Sequence, residues 1–101
     1  MRKEDFCPIR DILDKTADKW SLLVLYPMRQ QEVMRFSELQ KAIPDISQKM
    51  LTQTLRRLEQ MSLISREAYP EVPPRVEYRL TALGHSFMDN IEPLVSWAIE
   101  N

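Results

Sequence analysis

The chain has 101 residues, enough for one domain with a modest core, and residues 1–101 are expected to form it. Hydrophobic content of 44% and charged content of 29% are ordinary for a globular protein. No apolar run approaches the roughly 18 residues that would span a bilayer, so no membrane association is expected. A single cysteine rules out an internal disulfide and fits a reducing cytoplasm. The opening MRKEDFCPIRDIL mixes acids with bases and lacks a long apolar stretch, unlike a secretory signal. Net charge is −1, but its distribution is uneven. Residues 1–46 are neutral, residues 47–80 carry +2, and residues 81–101 carry −3. The sign of a local face, not the total, decides whether phosphates are attracted.

Pro8 suits the first position of a helix running to about Lys15, with Ile9, Ile12 and Leu13 as its buried stripe. Asp18 can cap a second helix from Lys19 to about Arg29. There Trp20, Leu23, Val24 and Met28 share one side, while Leu22, Leu25 and Tyr26 broaden the apolar surface. Pro27 is expected to kink that helix or end it early. Val33–Arg35 reads as a short strand. Ser37, with Gln40 three residues on, makes a capping box for a short helix through Ile43, which Pro44 stops. After a tight turn at Asp45-Ile46, Ser47 caps a further helix from Gln48 to about Met61. Ile64–Ala68 and Arg75–Leu80 alternate like half-buried strands, joined by a proline-rich tip that cannot continue a ladder. Thr81 then caps a long helix to about Ala98 or Ile99, which Pro93 should bend.

This order predicts a mainly α fold with a small β-hairpin (α+β): a winged helix-turn-helix with an extra helix at each end. On the helix after Ser47, Leu51, Leu55 and Leu58 fall on one side, widened by Met50, Thr54 and Met61. The other side carries Lys49, Thr52, Gln53, Arg56 and Gln60, with Arg57 at one margin. Duplex reading needs donors and acceptors near a helix N-terminus, and Ser47, Gln48, Lys49, Thr52, Gln53 and Arg56 occupy that part. A solvated amphipathic face would look the same in isolation; the flanking turn and hairpin favour DNA. Pro70, Pro73 and Pro74 stiffen the hairpin tip, and Arg75 there is positioned to reach a minor groove or a phosphate. Arg66 and Arg79 either touch the backbone or pair with Glu67 and Glu77.

No Cys/His spacing suits zinc, no glycine-rich phosphate loop is present, and no catalytic set is visible. The chain therefore reads as a non-enzyme without metal or cofactor. His85 reads as a surface or interface residue of the last helix. Cys7, before a helix N-terminus and near Lys3 and Arg10, is either a thiol biased toward its reactive thiolate or a small packed hydrophobe.

Taken together, Cys7-Pro8-Ile9, Lys19-Trp20, Arg35-Phe36-Ser37-Glu38-Leu39, the run Ile46–Glu59 and the segment Tyr69–Tyr78 with Leu80–Gly84 resemble the HxlR-type winged-helix transcriptional regulators of bacteria, relatives of the MarR group. The resemblance spans Cys7 to about Trp97. It departs where members often carry glycines, at Ala17-Asp18 and at Gln30–Val33, which touches loops and not the DNA-contact positions. It implies a DNA-binding regulator, a repressor by expectation, that binds a pseudo-palindromic operator. The helix after Ser47 would enter the major groove, and the wing at residues 69–75 would lie on the adjacent minor groove or backbone. Ser37, Ser47, Gln48, Lys49, Thr52, Gln53, Arg56, Arg57 and Arg75 are the expected DNA-binding residues. It also implies a homodimer built from the first and last helices, with Ile9, Ile12, Leu13, Phe87, Ile91, Leu94, Val95 and Trp97 at its interface. Some relatives sense quinones, aldehydes or oxidants through a cysteine placed like Cys7; an effector is otherwise unidentified. The competing reading is a winged module that kept the fold for protein interaction and lost DNA binding.

Overall fold

The computed structural model describes residues 19–101. The expected helix over Pro8–Lys15, the Asp18 cap and the candidates Cys7, Ile9, Ile12 and Leu13 lie outside the described residues. The described elements are α1 (Lys19–Gln30), α2 (Phe36–Ala42), α3 (Gln48–Gln60), β1 (Ile64–Tyr69), β2 (Arg75–Leu80) and α4 (Ala82–Glu100). This is the expected winged helix-turn-helix order.

Helix α1 runs through Pro27 to Gln30, one residue beyond the expected end at Arg29. A proline removes one intrahelical hydrogen bond at a cost of about 3 kcal/mol, and tertiary packing outweighs it here. Ser21, Val24, Leu25 and Met28 are all enclosed in the core. The core-facing stripe therefore differs from the expected one: Ser21 is buried, whereas Leu23 and Tyr26 are exposed. Val33–Arg35 is not a full strand. Only Met34 pairs, through two hydrogen bonds with Tyr78 of 2.9 and 3.0 Å on the free edge of β2.

Helix α2 starts two residues earlier than Ser37 would dictate. Its N-cap is Arg35, whose backbone N–H donates to the Glu38 carboxylate at 2.8 Å. A charged acceptor at a helix N-terminus is favoured over a neutral amide such as Gln40, and starting at Phe36 packs that ring against the core. Ile43, preceding Pro44, leaves the helical conformation, and the Ile46 N–H closes the turn onto the Ile43 carbonyl at 3.1 Å.

Helix α3 begins as expected: the Ser47 hydroxyl accepts from the Met50 N–H at 3.0 Å. Leu51, Thr54, Leu55 and Leu58 are buried, and Met50 and Met61 pack at the margins. The helix ends in a Schellman arrangement. The Leu63 N–H donates to the Leu58 carbonyl at 3.0 Å, and the Ser62 N–H to the Glu59 carbonyl at 2.9 Å. Ser62 takes the left-handed conformation this requires, with φ 63°.

The hairpin pairs Ile64 with Leu80, Arg66 with Tyr78, Glu67 with Glu77 and Tyr69 with Arg75. Helix α4 is capped by Thr81, whose hydroxyl accepts from the Gly84 N–H at 3.0 Å and donates to the Ser62 carbonyl at 2.6 Å. The Thr81 N–H donates to the Leu63 carbonyl at 3.1 Å, so the end of α3 and the start of α4 are joined directly. A Cβ on Gly84 would lie 2.1 Å from that same carbonyl oxygen, so the position tolerates no side chain. Arg29 ties α1 to the middle of α4: it donates to the His85 carbonyl at 3.1 Å, pairs with Glu92 at 3.3 Å and binds Asp89. These carboxylates, Asp89 foremost, hold the Arg29 guanidinium above its ordinary pKa.

Candidate nucleic-acid interface

The outward side of α3 is polar. Gln48, Lys49, Gln53, Arg56 and Gln60 are exposed, and Thr52 and Arg57 are half-buried. The first turn holds no acid, so the positive end of the helix is uncompensated, which favours a phosphate. Among the described residues, no ion pair engages Lys49 or Arg56. The Ser47 hydroxyl spends an acceptor lone pair on its cap and keeps its proton to donate. Ser37 lies exposed in the first turn of α2, inside that helix and not at its cap. Ser37 lies on α2 and the other helix candidates on α3, and buried leucines seat each helix, Leu39 in α2 and Leu51, Leu55 and Leu58 in α3.

The hairpin divides its arginines between two faces, because side chains alternate along a strand. The back face bears Arg75 and Arg79 together with Glu67 and Glu77. Arg75 does not stand free at the tip. It pairs with Glu71 at 3.1 Å and Glu77 at 3.6 Å, and its guanidinium lies 4.1 Å from the centre of the Tyr69 ring. Arg79 pairs with Glu32 at 3.5 Å and Glu77 at 3.6 Å. The Tyr69 hydroxyl donates to Glu67, which raises the phenol pKa. The front face carries Ile64, Arg66 and Ala68 opposite Leu80, Tyr78 and Val76. There Arg66 is exposed, and no ion pair engages it among the described residues. The signal for this division is the cross-strand register, which places residues 67, 69, 75, 77 and 79 together and 66 apart.

Another surface of the molecule exposes large apolar side chains. Leu83, Leu94, Trp97 and Ile99 of α4 are exposed, Trp97 by 62%. Beside them lies an apolar groove of about 520 Å³ between α1, the α2–α3 turn and α4, lined by Leu23, Tyr26, Pro44, Ile91 and Ile99. Of the interface candidates, Leu94 and Trp97 project outward and Phe87 and Val95 are half-buried, whereas Ile91 is enclosed by this chain's own core. Among the described residues no cluster is arranged to hold a metal ion, and no helix is long and apolar enough to cross a membrane.

A buried-sided helix capped by serine, a two-strand wing and a helix packed behind them define a winged helix-turn-helix protein. The chain belongs to the HxlR-like helix-turn-helix family, whose model matches residues 16–101. An uncharacterized helix-turn-helix transcriptional regulator of Methanothermobacter thermautotrophicus is 46% identical over 94 residues, covering 93% of this chain and 71% of that one. A solved structure assigned to the MarR family of transcriptional regulators, from Porphyromonas gingivalis W83, superposes with a TM-score of 0.88 at 40% identity and covers 100% of this chain and 96% of its own. The redox regulator HypR in its oxidized form gives 0.86 at 37% identity, covering 94% of this chain and 97% of its own.

Proposed function

We propose that this chain acts as one domain in a homodimeric, sequence-specific DNA-binding repressor that occludes a promoter and catalyses no reaction. The observation that carries the reading is the outward face of α3, where Gln48, Lys49, Gln53 and Arg56 project into solvent from a helix whose inner leucines fix its position. Glutamine pairs bidentately with adenine and arginine with guanine, so these side chains suit base edges in a major groove. Ser37, Ser47 and Thr52 supply hydroxyls for phosphates, and Arg57 lies at the margin of the same helix. Two copies would meet through α4 and the segment preceding α1, with the exposed Leu94 and Trp97 at the contact. Their α3 helices would then address half-sites about one turn apart, roughly 34–36 Å.

The test is selection of bound duplexes from fragmented genomic DNA at low and moderate salt. Enrichment of a common pseudo-palindromic sequence supports the reading. Salt-insensitive recovery of no duplex, with proteins captured in its place, would favour the interaction module. Cys7 is the proposed signal input, a reading supported by the likeness to HypR, a regulator solved in oxidized and reduced forms. An oxidised Cys7 would be an inter-subunit disulfide or an adduct, since the chain has one cysteine. Operator release by oxidant should vanish in Cys7→Ser; a variant that still responds like its parent removes Cys7 from the mechanism.

A further inference from the structure

A crevice of about 400 Å³ separates the middle of α3 from the root of the wing. Its rim holds Thr52, Arg56 and Glu59 from α3 and Arg66 from β1, and Phe36 and Tyr78 contribute to its lining. Both arginines are exposed, and no ion pair engages either among the described residues. Glu59 leaves the rim with a net charge of +1. The back face of the same hairpin is different. Glu32, Glu67, Glu71 and Glu77 there outnumber Arg75 and Arg79, for a net charge of −2. A phosphate approaching Arg75 would have to displace Glu71 or Glu77 and then sit beside the carboxylate it displaced. Like charges a few ångströms apart repel strongly where solvent is thin.

We propose that Arg66, at the root of the wing, is the hairpin's phosphate anchor, holding one strand of the duplex backbone at this crevice while Arg56 across it addresses base edges. The inference rests on the DNA reading above and gives it a geometry: the wing grips by its root and front face, and its tip contributes no phosphate contact. Thr52, one turn before Arg56 on α3, also lines the crevice and offers a hydroxyl to the same phosphate run. Glu59, deeper along α3, turns the backbone away from the far end of the crevice.

The experiment measures affinity against salt concentration for wild type, Arg66→Gln, Arg66→Lys and Arg75→Gln. Each is tested on a duplex that wild type selects from a random pool and on an unrelated duplex. Loss of one phosphate contact lowers the magnitude of the log–log salt slope by about 0.9, so a dimer that loses one in each subunit changes by about 1.8. Arg66→Gln should show that loss on both duplexes with several-fold weaker binding, Arg66→Lys should keep the wild-type slope, and Arg75→Gln should keep it too. Thermal melting of each variant at the wild-type temperature shows that the fold is retained. A wild-type slope in Arg66→Gln, a lost contact in Arg75→Gln, or a lysine variant as impaired as the glutamine one overturns the anchor while leaving DNA binding intact. A wild-type protein that binds neither duplex overturns the DNA reading and the anchor together.

Discussion

Helices α3 and α4 are built by the same rules and face different worlds. Each starts at a hydroxyl that accepts from the N–H three residues on, Ser47 for Met50 and Thr81 for Gly84. Each buries one stripe in the common core, Leu51, Leu55 and Leu58 in one case and Met88 and Ile91 in the other. What differs is the outward side. On α3 it presents amides, a lysine and arginines; on α4 it presents Leu83, Leu94, Trp97 and Ile99. The caps and buried stripes fix where a helix lies, and the remaining side alone decides what it can meet. Exposed cations suit a polyanion, and an exposed apolar ridge beside an apolar groove suits another protein surface.

The comparison can be broken most severely where the two helices join. Gly84→Ala forces a methyl onto the Leu63 carbonyl and should cost about 3 kcal/mol in urea unfolding. A variant with the wild-type midpoint would show that the joint yields. Next, Trp97→Asp together with Leu94→Asp places charge on the α4 ridge. If this ridge is the dimer contact, self-association should weaken by about 2 kcal/mol or more, read by sedimentation equilibrium. Unchanged association would send the dimer contact elsewhere. On α3, Arg56→Ala should cost about 1–3 kcal/mol on the selected duplex if it reads a base, and much less on an unrelated one. Equal losses on both would reduce Arg56 to a phosphate contact. The smallest effect expected is a gain: Ser62→Gly relieves a left-handed serine and should stabilise the fold by about 1 kcal/mol, seen as a higher melting temperature.

Elements governed by neighbours in sequence were legible. The Ser47 and Thr81 caps, the leucine stripe of α3 and both strands follow from local patterns and stand where those patterns put them. One failure has a local cause of another kind. Arg35–Glu38 and Ser37–Gln40 are overlapping capping patterns, and the charged one prevails. Helix α1, read to about Arg29 with Pro27 inside it, closes at Gln30. The charge map of the wing was less accessible. Alternation separates odd from even positions, but pairing Arg75 with Tyr69 and setting Glu32 beside Arg79 depend on register and on the return of the chain at Met34. That is why Arg75 reads in sequence as a free tip cation and stands in the structure between Glu71, Glu77 and the Tyr69 ring.

The chain has a single glycine, and its placement says how the fold ranks its constraints. Position 62 has the backbone twist that glycine relieves, yet a serine stands there. The glycine sits at 84, within a helix, where its flexibility is a disadvantage of about 1 kcal/mol. A twisted serine is a bounded, tolerable strain, whereas a side chain pressed into a carbonyl is a steric conflict that only a shift of two helices could resolve. Proximity outranks torsion at this joint. A survey of substitutions across the chain should therefore find 84 far less permissive than 62, although a search for unusual backbone angles alone would point to 62.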